Sequence, residues 1–241
     1  MKSSVLTAIS VLVLASTPAP AATLYPDATG DFTGGAGFLD MTSVNVDNNA
    51  STLTFTINLA ADPSVAANNW GTHLIGFDTS PGGNGNIAGT GGWSKNIQMS
   101  QGGMDFFIGN WLNNGSGNPA GATLYQWTGS AWNPVTSTGG ANPFNINAAV
   151  NSSAVTVAFD FAALGLSLGN SFNFDVYSST AGNDNVLDAA ASTAPMTWNA
   201  NPFDSGANVY AYTLVPEPGT PVLVGAGLLL LVARRLRAKK L

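Results

Sequence analysis

The fold class is decided by Met41-Thr42-Ser43-Val44-Asn45-Val46-Asp47 and, a few residues later, Leu53-Thr54-Phe55-Thr56-Ile57-Asn58-Leu59. Apolar and polar residues alternate in both runs, which is the period of a half-buried β-strand. The intervening Asn48-Asn49-Ala50-Ser51 is rich in residues that tolerate the backbone angles of a turn. The sequence therefore predicts an antiparallel hairpin with one face in a hydrophobic core.

Further short runs with strand character follow along the chain, separated by segments rich in Gly and Asn. Outside the two ends of the chain, no window shows the 3.6-residue apolar period of a helix. About ten short strands with turn residues between them predict an all-β fold, an antiparallel β-sandwich of jelly-roll or immunoglobulin-like topology. The further predicted strands cover residues 73–78, 93–99, 104–111, 123–128, 131–135, 154–161, 172–177 and 209–214.

The charge of the central region excludes one class of partner and favours another. Residues 22–214 contain twelve Asp, no Glu and a single basic residue, Lys95, so the formal charge is −11 (1 − 12). Such a surface repels nucleic acid, because phosphate binding depends on Lys and Arg. It favours hard cations such as Ca²⁺, which bind carboxylate and carbonyl oxygens. The chain has no Cys, which excludes disulfides and thiolate metal sites.

The first residues have the three parts of a secretory signal peptide. Lys2 gives a basic start, residues 5–15 are apolar, and Ala19 and Ala21 fit the small-residue cleavage rule. We therefore predict a signal helix over residues 1–21 that is removed on export, and a β-sandwich domain over residues 22–214.

The last residues have the order of an anchoring segment. Val215, Pro216, Glu217 and Pro218 precede an apolar run that extends to Ala233, and a basic cluster follows it at Arg234, Arg235 and Arg237. Residues 215–241 thus predict one C-terminal transmembrane helix, with the basic cluster on the cytoplasmic side and the domain outside.

This combination of motif, apolar run and basic pair resembles the PEP-CTERM sorting signal of bacterial exported proteins. The resemblance implies recognition by an exosortase, a membrane protease-transpeptidase. It also implies delivery to the cell surface or to an extracellular polysaccharide matrix, with the apolar helix present only before processing.

Two acidic segments are candidate metal sites. Asp27 and Asp31 lie in a Gly-containing loop and Asp40 lies at the next strand entry, where carboxylates and free carbonyls can surround a cation. Asp184 and Asp188 form a second candidate pair. The alternative is that these Asp side chains cap turns.

The opening of the domain also resembles two families of β-sandwich. Residues 25–31 and 37–44, together with the later run 161–166, are similar to family-nine-like carbohydrate-binding and DOMON-like domains. The resemblance implies a structural rather than catalytic cation near the opening segment.

Three tryptophans at loop edges, Trp70, Trp93 and Trp111, are candidate ligand-binding residues, because sugars stack on flat aromatic faces beside hydrogen-bonding groups. The alternative is that they fill the core. The single histidine, His73, is expected to pack within a strand.

These observations predict an exported, non-catalytic protein of the cell surface or exopolysaccharide matrix that binds glycan. A matrix or coat component with only a structural calcium site is the alternative. A glycan hydrolase is a third hypothesis, and it requires two carboxylates at catalytic separation in a cleft.

Overall fold

The computed structural model describes residues 22–32, 36–68, 70–83, 93, 95, 97–100, 102–112, 120–180, 186–194 and 203–216. All of these except Pro216 belong to one compact unit, Ala21–Val215, and residues 1–20 and 216–241 form another. The predicted signal helix, the C-terminal apolar segment, Asp184, Glu217, Pro218, Arg234, Arg235 and Arg237 lie outside the described residues. No helix within the described ranges is long and apolar enough to cross a membrane.

Fourteen strands are present in these residues. In chain order they are β1 (Ala22–Pro26), β2 (Met41–Asn48), β3 (Thr52–Leu59), β4 (Gly71–Asp78), β5 (Ile97–Gln98), β6 (Phe106–Trp111), β7 (Gly121–Trp127), β8 (Trp132–Ser137), β9 (Asn147–Val150), β10 (Ala154–Asp160), β11 (Ser171–Thr180), β12 (Asp188–Ala189), β13 (Phe203–Asp204) and β14 (Tyr210–Thr213). Short 3-10 turns lie at Ala66–Asn68 and Phe161–Leu164.

The first sheet has the order β1-β2-β3-β10-β9 and is antiparallel throughout. Its centre is the hairpin predicted from the sequence, in which Val46 pairs with Phe55 and Val44 with Ile57. These four side chains are fully buried, whereas Asn45 and Thr56 between them, and Thr54 before Phe55, are partly exposed. The alternating pattern is therefore confirmed as a strand pair with one face in the core.

The second sheet has the order β12-β11-β4-β6-β7-β8, and β14 also pairs with β11. Its pairings are antiparallel. The one parallel pair among the described strands is formed by the two-residue β5 and β13, which lie outside this sheet. β4 and β6 are buried along almost their whole length, because both faces of this sheet are covered. That is why these strands read as apolar runs rather than as alternating ones.

The hydrophobic core lies between the two sheets. Phe55 of the first sheet contacts Phe77 and Phe174 of the second edge-to-face, with ring centroids 5.6 Å and 5.2 Å apart. A second apolar cluster, which includes Leu74 and Phe107, covers the other face of the second sheet. An all-β architecture of packed antiparallel sheets is thus confirmed.

The structure corrects several strand boundaries. Within the predicted strand 93–99, only Ile97–Gln98 is a strand among the described residues. The sequence also failed to predict β1 and β9, whose residues are alternately exposed and half-buried at the two edges of the first sheet.

Candidate metal centre

Three carboxylates from two distant parts of the chain meet beside the start of β2. Asp27 directly follows β1, Asp31 lies in the following loop, and Asp188 begins β12. One carboxylate oxygen from each residue lies within 4.8 Å of those of the other two. The group therefore joins the edge strand of the first sheet to an edge strand of the second.

Asp40 lies beside this group and bonds to the loop that contains Asp31. Both of its carboxylate oxygens accept hydrogen bonds from the backbone N–H of Gly30, at 3.1 and 3.0 Å. Gly30 has a φ of +84°, a left-handed conformation that glycine adopts without strain. Asp40 thereby holds the loop that carries Asp31, and the structure places it next to the three-carboxylate group rather than within it.

Asp188 is anchored by the main chain of β2. Its Oδ2 accepts a hydrogen bond of 2.6 Å from the N–H of Met41, and its side chain is 1% exposed. Of the two acidic segments predicted as separate cation sites, the structure brings Asp188 from the second one to Asp27 and Asp31 of the first. The sequence gives no sign of this contact, because it depends on the packing of one sheet on the other.

Several oxygens of the cluster have no hydrogen-bond partner in the part of the chain that the structure describes. Asp31 is only 8% exposed, and both of its carboxylate oxygens are buried without one, as is Oδ2 of Asp27. The backbone N–H groups of Asp31 and Phe32 are near enough to the Asp31 carboxylate to lower its pKa. Neither N–H donates a hydrogen bond to a carboxylate oxygen of Asp31. Buried polar atoms in native proteins almost always have a partner.

The pKa values of the three carboxylates also indicate that positive charge is missing from the cluster. Burial, followed by the nearby carboxylates of Asp188 and Asp31, raises the pKa of Asp27 to about 9. Burial also raises the pKa of Asp188 to about 8, with Asp31 and Asp40 adding to the shift. The pKa of Asp31 is raised by burial and by Asp40. A cation among these groups would favour their charged forms and reverse the shifts.

The donor set limits which metal fits. Every side chain in the cluster offers oxygen and none offers nitrogen or sulfur, which suits Ca²⁺ or Mg²⁺ and not the usual zinc sites. These residues could hold a divalent cation.

The three predicted tryptophans do not form one surface. Trp70 packs edge-to-face on Phe38, with centroids 4.9 Å apart, at the margin of the core between the sheets. Trp93 and Trp111 lie together, 5.8 Å apart, and Trp93 covers Gly109, where a Cβ would come within 2.7 Å of its ring. All three are partly buried.

Two clefts are described elsewhere on the domain. One of about 340 Å³ is lined by residues of β7, β8 and the following turn, including Thr123, Tyr125 and Ser137. Another of about 460 Å³ is lined by residues that include Asp78, Ser80 and Asn173. Neither cleft contains any of the predicted tryptophans or a residue of the acidic cluster.

No protein-family model matches the chain, and no curated protein matches it.

Proposed function

We propose that this chain is an exported, non-catalytic β-sandwich protein that binds one Ca²⁺ at Asp27, Asp31 and Asp188. The observation that carries the proposal is the side chain of Asp31, whose two buried oxygens have no hydrogen-bond partner among the described residues and lie beside two further carboxylates. Ca²⁺ fits better than Mg²⁺ because three carboxylates from two separate segments favour its flexible coordination.

The role of the ion is structural. Asp31 and Asp188 are buried, so a polymeric substrate cannot reach both carboxylates, which argues against a glycan hydrolase. The ion would neutralise charge in the cluster and link two segments that are far apart in sequence.

The test is a calcium titration of the full chain in detergent, followed by calorimetry and by thermal unfolding. In the Asp31→Asn variant we expect calcium affinity to fall by at least about tenfold, a loss of about 1.4 kcal/mol or more. Without calcium, the same variant should unfold at a higher temperature than the wild-type chain, because one buried carboxylate has been replaced by a neutral amide.

Asp62→Asn is the matched control. Asp62 caps a loop by accepting hydrogen bonds from the N–H and hydroxyl of Ser64, and Asn retains an oxygen for that role. Equal calcium binding by wild-type and Asp31→Asn chains would rule the site out.

For location, we propose that the chain is sorted through Val215, Pro216, Glu217 and Pro218 to the cell surface or to an extracellular polysaccharide matrix. The support is the order of signal, motif, apolar run and basic cluster in the sequence. The test replaces Pro216, Glu217 and Pro218 by Ala in a host that contains an exosortase. We expect the variant to stay in the membrane fraction, and processing equal to the wild-type chain would contradict the assignment.

Glycan binding is a second candidate function. The cleft of β7 and β8 combines the ring of Tyr125 with the hydroxyls of Thr123 and Ser137, and such a combination suits a neutral sugar. Binding of the full chain to the host exopolysaccharide should weaken in Tyr125→Ala if this cleft is used. It should weaken in Trp111→Ala if the predicted tryptophans are used. If the wild-type chain does not bind, the protein is a matrix component without a glycan ligand.

A further inference from the structure

A row of polar side chains leads from the acidic cluster into the interior of the sandwich. Asp188 of β12 pairs with Ser178 of β11, Ser178 pairs with His73 of β4, and His73 pairs with Asn110 of β6. Residues directly opposite each other in an antiparallel pair point to the same face of the sheet, with Cβ atoms about 5 Å apart. The four side chains therefore lie side by side across four strands.

This row faces the first sheet. Ser178, His73 and Asn110 each lie two positions from a member of the core between the sheets, and side chains two apart on a strand share a face. Those core residues are Val176, Ile75 and Ile108. The row is thus the polar continuation of the hydrophobic core at the end of the sandwich where the cation cluster lies.

The interior part of the row lacks hydrogen-bond partners. Ser178, His73 and Asn110 are all 0% exposed. Within the described part of the chain, Ser178 Oγ, both ring nitrogens of His73 and Asn110 Oδ1 have no hydrogen-bond partner. Of these polar atoms in the described residues, only Nδ2 of Asn110 is engaged, and it donates to the carbonyl oxygens of Gly121 at 2.9 Å and of Trp111 at 3.5 Å. Groups of this kind in a native interior are usually satisfied by ordered water.

The acidic cluster also contains polar atoms without hydrogen-bond partners among the described residues. Three buried carboxylate oxygens without partners are available, from Asp27 and Asp31, and Oδ2 of Asp188 is already bonded to Met41. Ca²⁺ takes about six to eight oxygen ligands. Several of them must therefore be water or carbonyl oxygen.

We propose that Ser178, His73 and Asn110 hold a chain of ordered water molecules, and that Ser178 fixes a water molecule that is a ligand of the cation. This inference rests on the proposed calcium site and names the groups that complete it from the inside. Burial lowers the pKa of His73 to about 4, so the imidazole is neutral at physiological pH. A neutral imidazole has one donor and one acceptor nitrogen, and it can continue a hydrogen-bonded chain from one water molecule to the next.

The first test counts the water molecules on the bound ion. Eu³⁺ replaces Ca²⁺ in the full chain in detergent, and its luminescence lifetime is compared in H₂O and D₂O. We expect about two or more coordinated water molecules in the wild-type chain, and one fewer in Ser178→Ala. Calcium affinity should fall about tenfold in that variant, the equivalent of one lost hydrogen bond.

Ser179→Ala is the matched control, because Ser179 is the next residue, is equally buried and lies on the opposite face of β11. It should match the wild-type chain in both measurements. A wild-type ion without coordinated water, or a Ser178→Ala chain equal to Ser179→Ala, would overturn the assignment of Ser178. Failure of the wild-type chain to bind Ca²⁺ or Eu³⁺ overturns the proposed calcium site, and the role of Ser178 as a holder of its water ligand falls with it.

A second measurement examines the interior water separately. A crystal structure at a resolution that shows ordered solvent should contain water between Ser178, His73 and Asn110, with or without a cation. Direct hydrogen bonds among these three side chains, with no water between them, would overturn the water chain even if calcium binds.

Discussion

At the scale of one residue, the side chain of Asn48 holds Val215 and Tyr212, near the C-terminal end of the described domain, against β2. Its Nδ2 donates to the carbonyl of Val215 at 2.8 Å, and its Oδ1 accepts from the N–H of Val215 at 3.0 Å. The same Oδ1 accepts from the hydroxyl of Tyr212 at 2.9 Å. One amide thus replaces the strand neighbour that Val215 lacks. Pro216, the next residue, is exposed.

We predict that Asn48→Ala lowers the free energy of unfolding by about 2 kcal/mol, because it leaves a buried hydroxyl and two backbone groups without partners. The measurement is urea unfolding of the full chain at saturating calcium. Asn133→Ala, which truncates an exposed amide on β8, is the control and should be close to neutral. Equal losses in the two variants would contradict the role given to Asn48.

His73 makes the free energy of unfolding depend on pH, and the sign of this dependence follows from the burial of the imidazole. Burial lowers its pKa to about 4, below the ordinary value of 6.5. Its contribution to stability is therefore complete above pH 6.5 and is lost as the pH falls towards 4, by up to about 3 kcal/mol.

The check on His73 is the difference in unfolding free energy between the wild-type chain and His73→Gln, measured from pH 7.5 to 4. We expect the stability of the wild-type chain to fall relative to the variant over this range. The raised pKa values of Asp27, Asp188 and Asp31 act in the opposite direction, but the carboxyl groups are present in both chains, so the difference isolates His73. Parallel pH profiles would show that the imidazole titrates normally.

Individual site residues could be predicted only in part. Asp27 and Asp31 stand out in the sequence because they lie close together in a loop. The sequence does not single out Ser178 and Asn110, because a Ser or Asn within a strand usually indicates a side chain at the surface. Only strand register places them beside His73 and inside the sandwich.

At the scale of the element, β1 depends on few contacts of its own. Among the described strands it pairs only with β2, and its residues are alternately exposed and half-buried. Tyr25 links it to β14 by donating a hydrogen bond to the carbonyl of Ala211 at 2.6 Å and by packing on Tyr210, with centroids 4.7 Å apart. Tyr210 in turn donates to the carbonyls of Pro26 and Ala190. Asp27 follows β1 directly, so a bound cation would hold its end.

We predict that calcium removal increases hydrogen exchange more in β1 than in β3 and β10, which lose only the stability that the ion gives to the whole sandwich. The reason is that an edge strand held by a few side chains opens locally, whereas central strands exchange only on global unfolding. The measurement is exchange with mass spectrometry on the full chain, with calcium and with EDTA. Equal acceleration in β1 and β3, or none in β1, would contradict the proposed role of the cation.

The difference between central strands and edge strands also explains which elements the sequence predicts. β2 and β3 alternate because one face is buried and the other meets solvent, so their pattern can be read directly. β5 and β13 are two residues long and exist only because they pair with each other. β9 is a short edge strand with neither a clear pattern nor a long apolar run. Such elements depend on tertiary contacts that a local pattern does not contain.

At the scale of the whole molecule, the acidic cluster lies where the two sheets must be held together without a disulfide. Asp27 and Asp31 continue from the first sheet, whereas Asp188 belongs to the second. The chain has no Cys, and the formal charge of residues 22–214 is −11 (one Lys, twelve Asp). A bound Ca²⁺ would reduce this charge and connect the sheets at one edge.

Because the proposed cation would contact residues that follow from both sheets, we predict that it stabilises the two sheets together. Calorimetry of the full chain should show one unfolding transition for the sandwich, and its midpoint should rise with calcium concentration. At a free concentration of 100 times Kd the gain is about 2.7 kcal/mol, or roughly 5–10 °C for a domain of this size. At the same calcium concentration the midpoint of Asp31→Asn should rise by about half as much as that of the wild-type chain or less, whereas Asp62→Asn should follow the wild-type chain. A transition that splits in two, with only one part shifting, would mean that the ion stabilises a local segment and does not join the sheets.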